Sequence, residues 1–176
     1  IRYGLGAIKG VGSRVADAIA ANRAADGPYS NLDDLCERLD GALVNKTALE
    51  SLVASGAFDD MGRTRAGNSK QIESALRAAA NAREDKRRGQ KMLFAAEPVA
   101  VAEEVEDGVP EWPEHDRLTR EKESLGFYLS GHPFEKRGRF LSKIAGNTIS
   151  AAANMPVGDS IRIAGMISAA RVLQIK

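Results

Sequence analysis

The sequence has few of the residues that cross-link small proteins or bind metals, with one cysteine and two histidines among 176 residues. A single cysteine excludes an internal disulfide framework, and so few thiols and imidazoles disfavour a His/Cys metal cluster. No apolar run approaches the ~20 residues that a membrane-spanning helix needs. Basic and acidic residues nearly balance, at 25 against 24. A polyanion must therefore be bound through local basic patches rather than through a global positive field.

Targeting signals are also lacking. The chain opens at Ile1 without a Met, a basic n-region or an apolar h-region, so we expect no signal or transit peptide. It stops at Lys176 inside a strand-like run. We therefore expect a segment of a longer, cytoplasmic polypeptide with no membrane partner.

The residues that are present predict a mainly α-helical protein, and a hydrophobic content of 43% is enough for a core. Val11, Val15 and Ile19 recur with a spacing of four residues, which is typical of one apolar helix face. Asn45 is placed to cap a third helix. A longer helix is predicted over about 68–88, and its last turns carry a basic patch made of Arg77, Arg83, Lys86, Arg87 and Arg88.

Several single residues between these helices also have an expected role. Ser30 stands three positions before Asp33, a loose form of the capping box ahead of the second helix. Cys36 lies between leucines on one helix face and reads as a core residue. Trp112, between two prolines, is expected to pin its segment to a domain surface. Near Asp116 a helix resumes, with a predicted buried stripe at Leu118, Leu125, Tyr128 and Leu129.

Composition divides the chain into four predicted segments. Residues 96–114 combine prolines with a run of acids and are predicted to be a flexible acidic linker. After Pro156 the pattern turns strand-like, with Ile161 and Ile163 in alternation. The segments are a helical domain at 1–95, the linker at 96–114, a helical connector at 115–147 and a strand-containing region at 148–176.

The sharpest local motif is a glycine turn between two short helices near the start of the chain. Two glycines allow a tight backbone turn, and the free amides of the next helix can bind one phosphate oxygen. Such a helix-hairpin-helix would bind the DNA backbone without reading sequence. The alternative is a tight interhelical turn with no ligand. The candidate DNA-binding residues of this hairpin are Lys9, Gly10, Val11, Gly12, Ser13 and Arg14.

A second, degenerate hairpin is predicted around Gly56, where one glycine stands in place of two. Lys46, Arg63 and Arg65 flank it and are further candidates for phosphate contacts. Two hairpins together would form a compact unit that grips both strands of a duplex. The alternative is a plain helix C-cap followed by a loop.

A third motif, from Gln90 to Phe94, follows the basic helix end and precedes the acidic run. An exposed pair of Leu93 and Phe94 favours a partner with an apolar pocket. Gln90 can bond a partner backbone through its amide, and Met92 lies within the same pentamer. Two buried apolar side chains contribute ~1.5–3 kcal/mol each before ordering costs, which predicts roughly micromolar binding. The alternative is that both side chains fold back onto their own domain.

Taken together, these stretches resemble the bacterial replicative polymerases of family C, the DNA polymerase III alpha subunits. The stretch from Ile1 to Gly12 is similar to the start of their helix-hairpin-helix region, and Gly27-Pro28-Tyr29 to a turn within it. Gln90 to Phe94 is similar to their internal motif for the sliding clamp (the beta subunit). The most specific match is Glu121 to Pro133, which reads EKESLGFYLSGHP.

The resemblance implies a non-catalytic module of a DNA-directed DNA polymerase. Tandem hairpins would hold duplex DNA, and the Gln90–Phe94 motif would tether the enzyme to the clamp beside other replisome subunits. Residues from about Thr148 would begin an OB-like β domain. The catalytic aspartates and two Mg²⁺ ions of the family would belong to a palm outside this chain, so we expect no catalytic residue, metal ligand or cofactor here.

Two other classes of function remain open. One is a protein-interaction scaffold of the replisome whose hairpins do not touch DNA. The other is a helix-hairpin-helix repair glycosylase, which would need a catalytic Asp in a pocket and an aromatic residue for base flipping. An aromatic content of 5% and the lack of a candidate pocket disfavour the glycosylase.

Overall fold

The computed structural model describes residues 3–88, 108–167 and 170–172. The chain divides into two units, Ile1–Leu129 and Ser130–Lys176. This division falls inside the segment 115–147 that the sequence analysis treats as one connector. Seven α-helices occur in the described residues: α1 (Gly12–Asp26), α2 (Leu32–Arg38), α3 (Lys46–Ala54), α4 (Arg65–Arg88), α5 (Glu114–Leu125), α6 (Glu135–Ile144) and α7 (Ile149–Ala153).

Two asparagines begin the second and third helices. The Asn45 side chain accepts a hydrogen bond from the amide of Ala48 at 2.9 Å, so the predicted cap of α3 is confirmed. Asn31 caps α2 in the same way, accepting from the amide of Asp34 at 2.8 Å. Asp34 in turn accepts from the amide of Ser30, the residue before the cap, so the predicted Ser30–Asp33 box is wrong and Asn31 is the capping residue.

The core of the first unit lies between α1, α2, α3 and α4. Both α2 and α3 pack against α4, the 24-residue helix that runs along this unit. Its observed range, Arg65–Arg88, confirms the predicted long helix. Cys36 is 1% exposed and belongs to the core, as predicted. Val11 and Ile19 are buried and Val15 is half-buried, so α1 has the expected apolar face.

The end of the predicted acidic linker is packed within the first unit. Thr64 Oγ1 donates a hydrogen bond to the carbonyl of Val109 at 2.9 Å. Trp112 packs against the core, and the Arg120 guanidinium lies over its ring at 4.4 Å from the centroid. Trp112 therefore pins its segment as expected, whereas the predicted flexible character does not extend through these residues.

Helix α5 packs against α3 and ends at Leu125. Leu118 and Leu125 are buried, as predicted. The stripe does not continue as predicted, because Tyr128 is only half-buried and Leu129 is 62% exposed. Gly126 adopts a left-handed conformation with φ of 85°, which ends the helix and breaks its periodicity before Leu129.

The second unit holds α6 and α7, and Thr148 caps α7 by accepting from the amide of Ala151 at 3.1 Å. Within 156–167 and 170–172 the described backbone contains no strand, although Ile163 and Ile167 lie in the predicted strand-like run. A strand is defined by hydrogen bonds to a neighbouring strand, and no such pairing occurs in these described ranges. The OB-like domain stays a prediction.

Candidate nucleic-acid interface

The first hairpin turn is held by two buried side chains, one before Gly10 and one between its two glycines. Ile8 is 5% and Val11 is 2% exposed, and the amide of Val11 donates to the carbonyl of Ile8 at 3.1 Å. Gly10 and Gly12 have φ of 91° and 68°, which L-residues with a side chain rarely adopt. Both glycines of the motif are therefore required by the backbone path of the turn.

The same turn lies close against two other helices. A Cβ atom placed on Gly10 would come 2.8 Å from Ser51 Oγ of α3, so a side chain there would displace the Ser51 hydroxyl. The amide of Lys9 donates to the carbonyl of Ser124 at the end of α5, at 2.9 Å. The position of the turn is therefore fixed by α3 and α5 together.

The helix that follows this turn leaves its first amides open. No described side chain caps the N-terminus of α1 at Val11. The side chains of Lys9, Ser13 and Arg14 are exposed around it. Among the described residues, neither Lys9 nor Arg14 forms a salt bridge within 4.0 Å. Open amides at the positive end of a helix dipole, beside two exposed cations, are suited to one phosphate group.

The second hairpin has a different arrangement, because the helix after it is already capped by a carboxylate. Glu111 accepts from the amides of Arg65 and Ala66 at 2.9 and 3.2 Å, in the first turn of α4. Thr64 Oγ1 accepts from the amide of Gly67 at 3.0 Å. The carboxylate of Glu111 thus takes the place at α4 that a phosphate would take at α1.

Arg65, predicted to contact DNA, has a structural role instead. It is 4% exposed, and its guanidinium makes two bonds to Asp59, at 2.8 and 2.7 Å. A third bond reaches the carbonyl of Ala54 at 3.0 Å, and a fourth reaches Glu121 at 3.3 Å. The bond to Asp59 is the main cause that raises the pKa of the guanidinium. The predicted contact of Arg65 with DNA is contradicted, because the side chain is buried and its guanidinium is committed to four hydrogen bonds with three partners inside the protein.

Gly56 lies directly over that guanidinium. Its φ is 84°, and a Cβ atom there would come 2.3 Å from Arg65 Nη2. The single glycine of the second hairpin is therefore needed for the packing of Arg65.

Lys46 and Arg63, also predicted at the second hairpin, have partners within the protein. Lys46 Nζ lies 2.5 Å from Glu73 and 4.0 Å from Glu50. The Lys46–Glu73 hydrogen bond raises the pKa of Lys46 and lowers the pKa of Glu73, although both groups stay in contact with solvent. Arg63 is half-buried and donates to Gln71.

The predicted clamp-binding residues Gln90, Met92, Leu93 and Phe94 lie outside the described residues, so this site stays a prediction. The basic patch before it is smaller than predicted. Arg83 donates to the carbonyls of Cys36 and Leu39, the latter at 2.6 Å, and so caps the end of α2. Lys86 and Arg87 are exposed.

The sequence analysis did not predict the roles of three residues in this region. Glu111 belongs to an acidic run that was predicted to be a solvated linker. Glu121 and Ser124 belong to a motif for which the sequence predicts a helix but no contacts. Glu121 is completely buried. The only available signal was the exceptional specificity of the EKESLGFYLSGHP match, which marks the segment but assigns no contact.

Among the described residues, no group of three or more His, Cys, Asp or Glu side chains is placed to hold a metal ion. No helix within those ranges combines the length and apolar character that crossing a membrane requires.

The chain was compared with protein families and with curated proteins. Residues 1–68 match the model of a helix-hairpin-helix motif family. The chain is 40% identical to DNA polymerase III subunit alpha of Vibrio cholerae, with 100% of this chain and 15% of the relative covered. The subunit of Xylella fastidiosa is 37% identical over 87% of this chain and 13% of the relative. The subunit of Escherichia coli is 37% identical, with 100% of this chain and 15% of the relative covered.

The chain therefore spans about one seventh of the length of these curated relatives. The match extends from the first hairpin through α5 and the residues after it. This chain is similar to DNA polymerase III subunit alpha over nearly its whole length, which confirms the resemblance expected from its motifs.

Proposed function

We propose that this chain is a non-catalytic module of a cytoplasmic, DNA-directed DNA polymerase, and that its first hairpin binds the backbone of duplex DNA. The observation that carries the proposal is the open N-terminus of α1 beside the exposed side chains of Lys9, Ser13 and Arg14. The helix-hairpin-helix match over residues 1–68 and the similarity to polymerase alpha subunits support it.

The proposed contact is electrostatic and independent of sequence. Amides of the first turn of α1 would bond phosphate oxygens, and Lys9 and Arg14 would neutralise neighbouring phosphates. Buried Val11 contributes its backbone and its packing rather than a surface contact. Contacts to phosphate fix the position of the protein on the duplex without reading bases, as replication of any sequence requires.

The second hairpin serves mainly to build the domain in this proposal. The carboxylate of Glu111 occupies the amides of α4, and Arg65 lies in its buried network. Lys46 and Arg63 already donate to Glu73 and Gln71, which compete with any contact to DNA.

We propose further that Gln90, Met92, Leu93 and Phe94 bind the sliding clamp beside other replisome subunits. Tethering raises the effective concentration of the polymerase at the primer end, which increases processivity. The polymerase chemistry, with its Mg²⁺ ions, would be supplied by parts of the enzyme outside this chain, and we assign no magnesium ligand here. An OB-like domain beginning near Thr148 belongs to the same proposal.

The DNA contact is tested with the double variant Lys9→Glu, Arg14→Glu in duplex binding across a salt series. Each phosphate contact contributes ~0.9 to the slope of log affinity against log salt, so the loss of about two contacts should lower the slope by ~2. Arg23→Glu, Lys70→Glu makes the same charge change at exposed positions on α1 and α4, outside the basic patch, and is the matched control. Equal weakening by both variants would contradict a hairpin site, and no weakening would favour the protein-interaction scaffold.

The clamp contact is tested by titrating the cognate sliding clamp with the chain and with Leu93→Ala, Phe94→Ala. We expect roughly micromolar binding that the variant loses, because the two side chains supply most of the apolar burial. Equal binding by both proteins would show that these side chains do not form the contact.

A further inference from the structure

The end of α5 connects the first hairpin turn to the buried network of the second hairpin. Ser124 accepts the amide of Lys9 through its carbonyl, at 2.9 Å. One turn earlier, Glu121 accepts from Arg65 at 3.3 Å and from the amide of Leu129 at 2.9 Å. The Ser124 hydroxyl donates to the carbonyl of Glu121 at 3.0 Å.

Glu121 is 0% exposed, so its carboxylate is tied to these partners rather than to water. A buried carboxylate is costly unless it is paired and hydrogen-bonded, and a residue that only filled space at this position would be apolar. Arg65 holds Glu121 and at the same time binds Asp59 and the carbonyl of Ala54. The last turn of α5 is therefore anchored to the end of α3, next to the turn it supports.

We propose that Glu121 is a positioning residue for DNA binding: by anchoring the last turn of α5, it holds the first hairpin turn in the geometry that binds phosphate. This inference rests on the proposed function. The Lys9–Ser124 bond is the link between anchor and turn, and the close approach of Gly10 to Ser51 holds the other side. Without the anchor, binding must first order the turn, which lowers affinity.

The direction in which Glu121→Gln changes the affinity for DNA distinguishes a positioning role from a simple effect of charge. Glu121→Gln removes a negative charge, and a pure charge effect would therefore tighten binding to DNA. Loss of positioning predicts the opposite, a dissociation constant about threefold to tenfold higher, with an unchanged salt slope because the same phosphates are bound once the turn is ordered. Glu123→Gln makes the same charge change at an exposed position on α5 and should leave binding unchanged or tighten it.

Amide hydrogen exchange tests the anchor itself, without DNA. In Glu121→Gln we expect the Lys9 amide to exchange about tenfold faster, while core amides such as those of Leu52 and Ile72 keep their protection. A purely structural role would instead accelerate exchange at all of these amides together. If Glu121→Gln does not fold, Arg65→Lys, which keeps the charge but cannot form the same fork, is measured in the same way.

The outcomes are distinct. The proposal is overturned if Glu121→Gln leaves the exchange rate of the Lys9 amide unchanged. It is also overturned if that rate rises while Glu121→Gln and Glu123→Gln have the same affinity for DNA. If the Lys9→Glu, Arg14→Glu variant binds DNA like the wild type, the proposed function fails, and the positioning role fails with it. If that variant loses affinity and slope while Glu121→Gln does not lose affinity, only the positioning role fails.

Discussion

At the scale of single residues, burial decides which basic side chains can bind DNA. Lys9 and Arg65 have the same charge and both flank a glycine turn, yet Lys9 is exposed and Arg65 is 4% exposed with four hydrogen bonds. An arginine held by two carboxylates and a carbonyl cannot also pair with phosphate. The sequence contains the charges, but it does not show which of them are paired inside the folded protein.

The two glycines of the first turn should differ in their tolerance of alanine. Gly10→Ala places a Cβ atom 2.8 Å from Ser51 Oγ at a φ of 91°, whereas nothing lies within 4 Å of the same atom on Gly12. Left-handed strain costs about 1–2 kcal/mol in both variants, and crowding adds about 1 kcal/mol or more in Gly10→Ala. Urea denaturation should therefore show the larger loss in Gly10→Ala. Adding Ser51→Ala should recover part of it, and equal losses in the two single variants would contradict the crowding.

The thiol of Cys36 should be unreactive in the folded protein. Burial, with a smaller contribution from Asp33, raises its pKa from 9.0 to about 11. The unfolded thiol ionises at lower pH than the folded one, so this group stabilises the fold fully below pH 9 and progressively less as pH rises towards 11. A thiol reagent at pH 8 should label Cys36 only at the rate of unfolding. The denaturant concentration at the unfolding midpoint should decrease as the pH is raised from 9 to 11. Cys36→Ala should lose that component of the pH dependence, and rapid native labelling would contradict the burial.

At the scale of helices, the N-termini of the first four helices differ in what their free amides bind. Helices α2 and α3 use asparagines that adjoin them in sequence, and these are predictable from local rules. Helix α4 uses Glu111, which lies 46 residues after Arg65. Helix α1 uses no described side chain. This contrast separates a helix end committed to the fold from one open to a ligand.

Removing the distant cap should destabilise the first unit. Glu111→Ala should cost about 1–2 kcal/mol in chemical denaturation, because two amides of α4 lose a charged acceptor. Glu111→Gln should cost less, since its amide oxygen still accepts but the attraction of a negative charge to the helix dipole is lost. Glu123→Ala, at an exposed site on α5, is the control and should change stability little. Equal stability of Glu111→Ala and the control would mean that the cap contributes nothing.

At the scale of the whole molecule, the hydrophobic core belongs to the first unit. The buried core cluster runs from Ile8 to Leu125, all within Ile1–Leu129. In the second unit, large apolar side chains such as Phe140 and Ile149 are 65% and 81% exposed. Cooperative unfolding should therefore report on the first unit.

Two truncations test this division. A chain ending at Leu129 should keep the thermal unfolding midpoint of the 176-residue chain, because every residue of the buried cluster is retained. A chain ending at Pro113 removes α5, exposes its contacts with α3 and leaves Arg65 without Glu121. Loss of one partner of a buried ion pair costs about 3–5 kcal/mol, so this second chain should melt well below the first. A chain ending at Leu129 that does not fold would place part of the necessary core elsewhere.

Much of the local structure was determined by the sequence alone. The Asn45 cap, the range of α4, the burial of Cys36 and the glycine turn at Gly10 follow from backbone preferences and periodicity, which act over a few residues. The family resemblance was equally readable, because its motifs are contiguous. These features need no knowledge of what packs against them.

Only the tertiary structure decided the roles of the charged residues. Arg65 and Glu121 are 56 residues apart, and Glu111 reaches α4 across 45 residues or more. Whether a charge faces solvent, a phosphate or a buried partner depends on which distant segments share its surroundings, and charge patterning along the chain does not contain that information. The open amides of α1 acquire their meaning for the same reason, since a helix end is a binding site only when the rest of the fold leaves it uncovered.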